Sequence, residues 1–136
     1  MEIYTSSYWK YAGSRGVQIS NSRPESSRVY RSLPLLYPSW PEVKAWNQVK
    51  KLPKTDTERQ RVWKKFTEAY WTKLQRLGAD TVLSVLRDGD VLLCWCGNYH
   101  ECHRSVLAEF LRRNGVEAVE LSQTWIVEEM RSQYIG

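Results

Sequence analysis

The segment from Asp90 to Asn114 constrains the fold more than any other part of the chain. It opens with the apolar run Val91 to Leu93, and from Cys102 onward apolar residues recur with the period of a helix that Gly115 can end. A short apolar run of this kind is typical of a strand buried on both faces. The succession of strand, polar turn and helix predicts an α/β domain with a mainly parallel central sheet, built as a three-layer sandwich.

The rest of the chain supplies further elements of the same domain. With 136 residues and 42% hydrophobic content, the chain predicts a single domain over residues 1–136. It has no run of eighteen apolar residues and no signal pattern, so we expect a soluble cytoplasmic protein without membrane contact. Periodicity predicts strands over 2–9, 17–20 and 116–121, and helices over 42–49, 57–77, 80–87 and after Ser122, the last with Trp125, Ile126 and Met130.

The candidate functional residues are concentrated between positions 90 and 114, which hold all three cysteines and both histidines. In open α/β sheets, ligands bind at the carboxyl ends of strands, and the free N–H groups that start the next helix favour an anion. Cys102 at such a helix start, beside Arg104, is a candidate reactive thiol because positive neighbours favour the thiolate. We expect the Arg104 guanidinium to reach the rim of the crevice, where Arg23, held extended by Pro24, should also lie.

Several short motifs of this chain resemble those of a known family. The run Leu92-Leu93-Cys94 is followed by Cys102-His103-Arg104, and the first strand begins with Ile3-Tyr4-Thr5-Ser6. The apolar strand Val17-Gln18-Ile19-Ser20 and a helix with Phe66 and Tyr70 complete the pattern. These features are similar to the small members of the bacterial and phage domain-of-unknown-function family numbered 488. The chain departs from that family at Cys96, where the family usually has Glu. The resemblance implies an α/β fold with a pocket and no particular activity.

The leading hypothesis is that the crevice binds a phosphorylated small molecule, such as a nucleotide or a nucleotide-derived metabolite. Arg23 and Arg104 would contact the anion, and a Trp or Tyr would stack on the base. Should a reaction follow, Cys102 is the predicted nucleophile or acid, with His103 or Glu101 as the proton carrier. The sequence leaves open whether the chain is an enzyme, and this hypothesis requires no cofactor or metal ion. The predicted ligand-binding residues are Arg104, Arg23, Ser105, Ser22, Tyr8, Trp9, Cys94, Cys96 and His100.

A zinc site, in a zinc-stabilised interaction protein, is one alternative. Cys94, Cys96 and Cys102, with His100 or His103, have the right ligand types for a tetrahedral site. Against zinc, Cys94 and Cys96 would point to opposite faces of a regular strand. Under the leading hypothesis, the three cysteines are expected to be reduced thiols, because their close spacing is unlike a disulfide framework.

A nucleic-acid-binding accessory protein is the other alternative. The segment from Lys44 to Arg76 contains ten Lys or Arg and three acidic residues, in a chain whose formal net charge is +5. Such a segment can be an electrostatic footprint for phosphates or simply a solvated helix face. Trp63 or Trp71 would then serve as a stacking platform for bases. The proline-rich connection over 26–56 predicts a lid or a core plug, with Trp40 and Trp46 as its large aromatic residues.

Overall fold

The computed structural model describes residues 1–51 and 55–121, which form five strands and four α-helices. The strands are β1 (Glu2–Ser7), β2 (Gly16–Gln18), β3 (Arg31–Ser32), β4 (Val91–Cys94) and β5 (Glu117–Glu120). The helices are α1 (Trp40–Lys51), α2 (Asp56–Leu77), α3 (Ala79–Ser84) and α4 (His103–Arg113), with 3-10 turns at Pro34–Leu36 and Tyr99–Glu101. None of the helices in these two ranges combines the length and apolar character needed to cross a bilayer.

All five described strands run parallel in one sheet, in the order β3-β2-β4-β1-β5. β4 lies at the centre, where Val91 pairs with Tyr4 of β1 on one side and with Gly16 of β2 on the other. All four residues of β4 are buried, as the apolar run predicts. The predicted parallel α/β class is therefore confirmed. Because the strands share one direction, the carboxyl ends of β1, β2 and β4 lie on the same edge of the sheet.

One face of the sheet carries the described helices. α2, α3 and α4 share an apolar core with β1, β2 and β4, and α1 packs on α2. Fully buried members of this core include Ile3, Val17, Leu74, Leu92 and Leu107. A smaller cluster on the opposite face contains Tyr8, Tyr11, Val91 and Leu93. The closing helix predicted after Ser122 lies outside the described residues.

The element boundaries follow local capping chemistry. The helix predicted over 57–77 is confirmed as α2, and Thr55 caps it by accepting a hydrogen bond from the Glu58 N–H at 3.2 Å. α1 begins at Trp40, before the predicted start, because Pro41 fits the first turn of a helix. The sequence pattern does not predict β3, since a strand of two residues has no alternation to detect.

The buried carboxylate of Asp90 fixes the amino end of β4. It accepts hydrogen bonds from the Tyr30 hydroxyl, from the Arg31 guanidinium and, at 2.9 Å, from the Arg87 N–H. Arg15 lies 3.7 Å from the same carboxylate. A buried charge is tolerated when it is paired and hydrogen-bonded. This network therefore sets where β4 enters the sheet, and it leaves the carboxyl end of β4 free for other chemistry.

Leu107 holds α4 against the sheet, so shortening its side chain should destabilise the fold. We expect Leu107→Ala to lower the free energy of unfolding by about 2–5 kcal/mol, because the side chain is fully buried and its loss leaves a cavity. Glu109→Ala, on the exposed side of the same helix, should change it by less than about 1 kcal/mol. Urea unfolding followed by circular dichroism measures both values. Equal losses in the two variants would contradict this packing of α4.

Candidate functional site

A cavity of about 360 Å³ opens at the carboxyl ends of β2 and β4. Its lining is mostly apolar and aromatic, with serine, asparagine, cysteine and histidine side chains among the rings. The aromatic members come from α1, α2 and the loop after β4, which explains why residues distant in sequence meet here. The lining consists of Ser20, Asn21, Ser22, Pro38, Trp40, Val43, Trp46, Asn47, Phe66, Cys94, Trp95, Cys96, Cys102 and His103.

The three cysteine sulfurs converge at this cavity. Their Sγ atoms lie within 4.8 Å of one another. Cys94 is the last residue of β4, and Cys102 is the N-cap residue of α4. The strand ends before Cys96, so the alternation of side chains does not continue through it. The opposite-face argument against zinc therefore does not apply, because it required a regular strand across both residues and β4 ends at Cys94.

Two of the three cysteines are paired. The sulfur atoms of Cys94 and Cys102 are joined, whereas Cys96 is a free thiol of intermediate exposure. The expectation of three reduced thiols is thus corrected for the pair. The Cα atoms of Cys94 and Cys102 are 7.7 Å apart, and those of disulfides usually lie about 4.4–6.8 Å apart. The backbone at this site therefore holds the two residues further apart than an ordinary disulfide does.

Arg104 supports the cysteine loop from inside the protein. Its guanidinium is fully buried and donates to the Glu120 carboxylate through Nε at 2.9 Å and Nη2 at 3.2 Å. Its Nη1 donates to the Cys94 Sγ at 3.1 Å and to the Cys96 carbonyl oxygen at 2.6 Å. The expected position of Arg104 at the rim is not observed, because these partners enclose the guanidinium. Arg104 instead ties the end of β4 to β5.

His103 is buried with its two ring nitrogens in different environments. Its Nε2 lies 2.8 Å from the Ile19 carbonyl oxygen. A carbonyl only accepts, so Nε2 carries the proton and Nδ1 carries a lone pair. Nδ1 lies 3.8 Å from the Cys102 Sγ. Burial lowers the pKa of His103 from 6.5 to about 4, and the imidazole is therefore neutral at physiological pH.

Exposed aromatic rings and one lysine contact residues of the cavity lining. Trp95 lines the cavity and donates through Nε1 to the Ser22 carbonyl oxygen at 2.8 Å, and its ring centroid is 5.9 Å from that of Trp9. Lys50 of α1 places its Nζ 3.8 Å from the Cys96 Sγ and 5.7 Å from the Trp46 ring centroid. Neither Trp95 nor Lys50 is among the site residues predicted from the sequence. The position of Trp95 between two predicted site cysteines is a signal that could have indicated it.

Six of the nine predicted ligand-binding residues are absent from the cavity lining, namely Arg104, Arg23, Ser105, Tyr8, Trp9 and His100. Arg23 is exposed, and its Nη1 donates to the Ser27 carbonyl oxygen at 2.9 Å. The Ser105 hydroxyl donates to the Cys102 carbonyl oxygen at 2.8 Å, within the first turn of α4. His100 and Ser105 line a separate, shallower groove between α2 and α4. Arg23, Ser105 and His100 cannot contact a ligand in the cavity without rearrangement.

Of the remaining predicted residues, some contact other side chains of the fold and the others line the cavity. Glu101 forms an ion pair with Arg59 at 2.7 Å, and the hydrogen bonds from Arg59 lower the pKa of the Glu101 carboxyl. The Tyr8 hydroxyl lies 2.6 Å from the Ser20 Oγ, and burial raises the pKa of Tyr8 to about 12. Both side chains therefore have partners inside the protein. The cavity brings together Ser22, Cys94, Cys96, Cys102 and His103.

The tryptophans of the basic segment are engaged in packing. Trp63 stacks on Phe66 with ring centroids 5.4 Å apart, and it lies 4.9 Å from Trp46. Trp71 contacts Phe110 edge-on at 5.5 Å, and the Arg113 guanidinium covers it. Both rings also line the open groove between α2 and α4, so the nucleic-acid alternative built on them stays a prediction.

The fold and the cavity define an α/β protein with a parallel sheet and a cysteine-lined pocket at the carboxyl edge of that sheet. A family model described as DUF488-N3a, "Active DUF488-N3 subclade", matches residues 3–115. The chain belongs to the DUF488 family, in agreement with its Cys-His-Arg motif. The match includes the cysteine loop and α4 and ends before β5. Comparisons with curated proteins and with solved structures gave no match.

The buried ion pair of Arg104 and Glu120 yields a stability prediction. Glu120→Ala should lower the free energy of unfolding by about 3–5 kcal/mol, because it leaves the Arg104 charge buried without its partner. The double variant Arg104→Met/Glu120→Leu should lower the free energy of unfolding by less than Glu120→Ala does, since it removes both charges. Glu109→Ala, which breaks an exposed pair with Arg113, should cost at most about 1 kcal/mol. Urea unfolding at pH 7.5 measures the free energy of unfolding of each variant. If Glu120→Ala lowers it as little as Glu109→Ala does, the ion pair of Arg104 and Glu120 is not buried.

His103 should make stability depend on pH. Its pKa is about 4 in the folded chain and 6.5 in the unfolded chain, so the unfolded state binds the extra proton between these values. The contribution of His103 to the free energy of unfolding is complete above pH 6.5 and is lost as the pH falls towards 4. The total loss is about 3 kcal/mol. His103→Gln, which can keep a donor for the Ile19 carbonyl, should lose this part of the pH dependence. Urea unfolding of both proteins from pH 7.5 to 4.5 tests this, and parallel curves would contradict it.

Proposed function

We propose that the cavity binds a phosphorylated small molecule with a flat aromatic ring, such as a nucleotide or a nucleotide-derived metabolite. The observation that carries this proposal is the composition of one cavity. Aromatic rings form much of its lining, and the first residues of a helix lie in the same lining. A ring system and an anion are the two ligand groups that such a combination suits.

The ring of the ligand would lie among the aromatic side chains. The volume of about 360 Å³ falls within the roughly 300–1,000 Å³ of small-molecule sites. Trp40 is 58% exposed and so can stack on an entering ring without first leaving a packed position. Asn21 and Asn47 lie in the same lining, and their amide groups both donate and accept hydrogen bonds. They can therefore recognise the polar edge of a base.

The phosphate would lie where the start of α4 meets the mouth. Cys102 and His103, the N-cap residue and the first residue of α4, both line the cavity. The N–H groups of a first helical turn lack intrahelical partners and favour negative charge. Lys50 adds a cation beside Cys96. Lys50 replaces Arg23 and Arg104 in this role, because their guanidinium groups are directed at other partners.

The proposal covers binding and leaves cysteine chemistry out. His103 has a pKa of about 4 because it is buried, so it accepts a thiol proton poorly at neutral pH. The Glu101 carboxylate is occupied by Arg59 and does not line the cavity. Neither group is therefore a strong proton carrier for Cys102. The description of the matching family model calls the subclade active and names no reaction.

Calorimetry with a panel of ligands tests the proposal. The reduced full-length chain is titrated with the ribonucleoside monophosphates, the matching nucleosides and inorganic phosphate. We expect a monophosphate to bind more tightly than its nucleoside or phosphate alone, because it occupies both parts of the site. Trp40→Ala should weaken binding by about 1–3 kcal/mol through lost stacking. Lys50→Gln should weaken it by about 1.5–3 kcal/mol through the lost charged hydrogen bond.

Lys44→Gln is the matched control for Lys50→Gln. Lys44 is an exposed lysine of the same helix whose removal changes the net charge equally, whereas Lys50 contacts the lining residue Cys96. Equal effects of the two lysine variants would assign the binding to general charge rather than to this site. Absence of heat with every ligand would overturn the proposal. Tighter and strongly salt-dependent binding of single-stranded oligonucleotides, unaffected by Trp40→Ala, would favour the nucleic-acid alternative.

A further inference from the structure

The sulfur atoms at the cavity have the spacing of a metal-binding cluster. All three Sγ atoms lie within 4.8 Å of one another. Three thiolates on one tetrahedral Zn²⁺, with Zn–S bonds of about 2.3 Å, have sulfur atoms roughly 3.8 Å apart. We propose that the reduced chain binds one thiophilic metal ion, Zn²⁺, through Cys94, Cys96 and Cys102. This inference goes beyond nucleotide binding and does not depend on it.

His103 lies beside the three sulfurs, although they alone, among the described residues, form the group of ligand atoms within 4.8 Å of one another. Its Nδ1 lone pair lies 3.8 Å from the Cys102 Sγ, close to the separation of two ligand atoms on one zinc ion. Its Nε2–H is held by the Ile19 carbonyl oxygen, at 2.8 Å. A hydrogen bond from the second ring nitrogen to a carbonyl is the usual support of a metal-binding histidine, since it fixes the tautomer and the ring. Three sulfurs therefore bind the metal ion, and the His103 nitrogen or a water molecule supplies the fourth position.

The surrounding charges suit this complex. Three thiolates, one Zn²⁺ and a neutral imidazole carry a net charge of −1. Lys50 lies 3.8 Å from the Cys96 Sγ and can offset that charge. The Arg104 Nη1 donates to the Cys94 Sγ at 3.1 Å, and N–H donors to a ligating sulfur are common outer partners of metal sites. The Arg104 charge is itself balanced by Glu120.

The pairing of Cys94 with Cys102 makes metal binding conditional on reduction. A dithiol reductant supplies two electrons and two protons, which convert the pair into two thiols while the reductant becomes a disulfide. Zn²⁺ then displaces one proton from each of the three thiols and forms three Zn–S bonds. The Cα separation of 7.7 Å is wide for a disulfide but suits two residues whose sulfurs share a metal ion.

Metal titration of the full-length chain tests this inference without any nucleotide. Protein reduced with a dithiol and desalted without oxygen is titrated with Co²⁺ and then with Zn²⁺. We expect one Co²⁺ per chain, with thiolate-to-cobalt charge-transfer absorption and tetrahedral ligand-field bands, and displacement of cobalt by zinc. Cys96→Ser should reduce the charge-transfer absorption by about a third and weaken zinc binding by more than the roughly 10- to 100-fold typical for loss of an outer partner.

His100→Gln and His103→Gln form a matched pair of histidine variants. His103→Gln should change the ligand-field bands, whereas His100→Gln should leave them unchanged because His100 does not line the cavity. Protein without prior reduction should bind no stoichiometric metal. Zinc binding that Cys96→Ser leaves unchanged, or no binding by the reduced chain, would overturn the inference.

Cysteine alkylation of the unmodified chain tests the same inference without any variant that could fail to fold. Zn²⁺ should protect all three cysteines of the reduced protein from alkylation, as mapped by peptide mass spectrometry. Equal alkylation with and without zinc would also overturn the inference. None of these metal measurements uses a nucleotide, so failure of the nucleotide proposal would leave the zinc result unaffected.

Discussion

The guanidinium of Arg104 links α4 to the cysteine segment after β4 and to the strand β5. It donates to the last residue of β4, to the carbonyl oxygen of Cys96 and to the carboxylate of Glu120 in β5. Such a charge is costly to bury unless it is paired and hydrogen-bonded, so these partners are required together. The position of the cysteine loop, the start of α4 and the edge strand β5 are therefore coupled through one side chain.

This coupling explains how the cysteines meet. β4 delivers Cys94 to the carboxyl edge, and the hydrogen bond from Arg104 to the Cys96 carbonyl holds the loop after the strand. α4 begins at the same edge, which brings Cys102 and His103 to the cavity. At the opposite end of β4, the Asp90 network fixes where the strand enters the sheet. The chemistry of the site thus follows from a strand that is anchored at both ends.

The sequence predicted features that depend on local periodicity. The buried strand at Val91, the long helix α2 and the helix after Cys102 each carry a repeating apolar pattern, and all three are observed. The apolar pattern could not predict side-chain contacts between elements that are distant in sequence. Arg104 was expected at the rim from its helical angle, but Glu120 lies sixteen residues further along the chain and draws it inward. Lys50 and Trp46 reach the cavity through the packing of α1 on α2, which no local pattern encodes.

The two proposed ligands place different demands on the same cavity. Binding of a nucleotide depends on stacking against indole rings such as Trp40 and on the charge of Lys50. Neither group changes chemically when the cysteines are oxidised. A zinc ion depends on the three thiolates, and pairing of Cys94 with Cys102 removes two of these three sulfur ligands. A change in thiol state would therefore control the metal while leaving the aromatic walls in place. Because Cys96 and Lys50 lie at the boundary between these groups, a bound metal ion would also alter the charge that an entering phosphate meets.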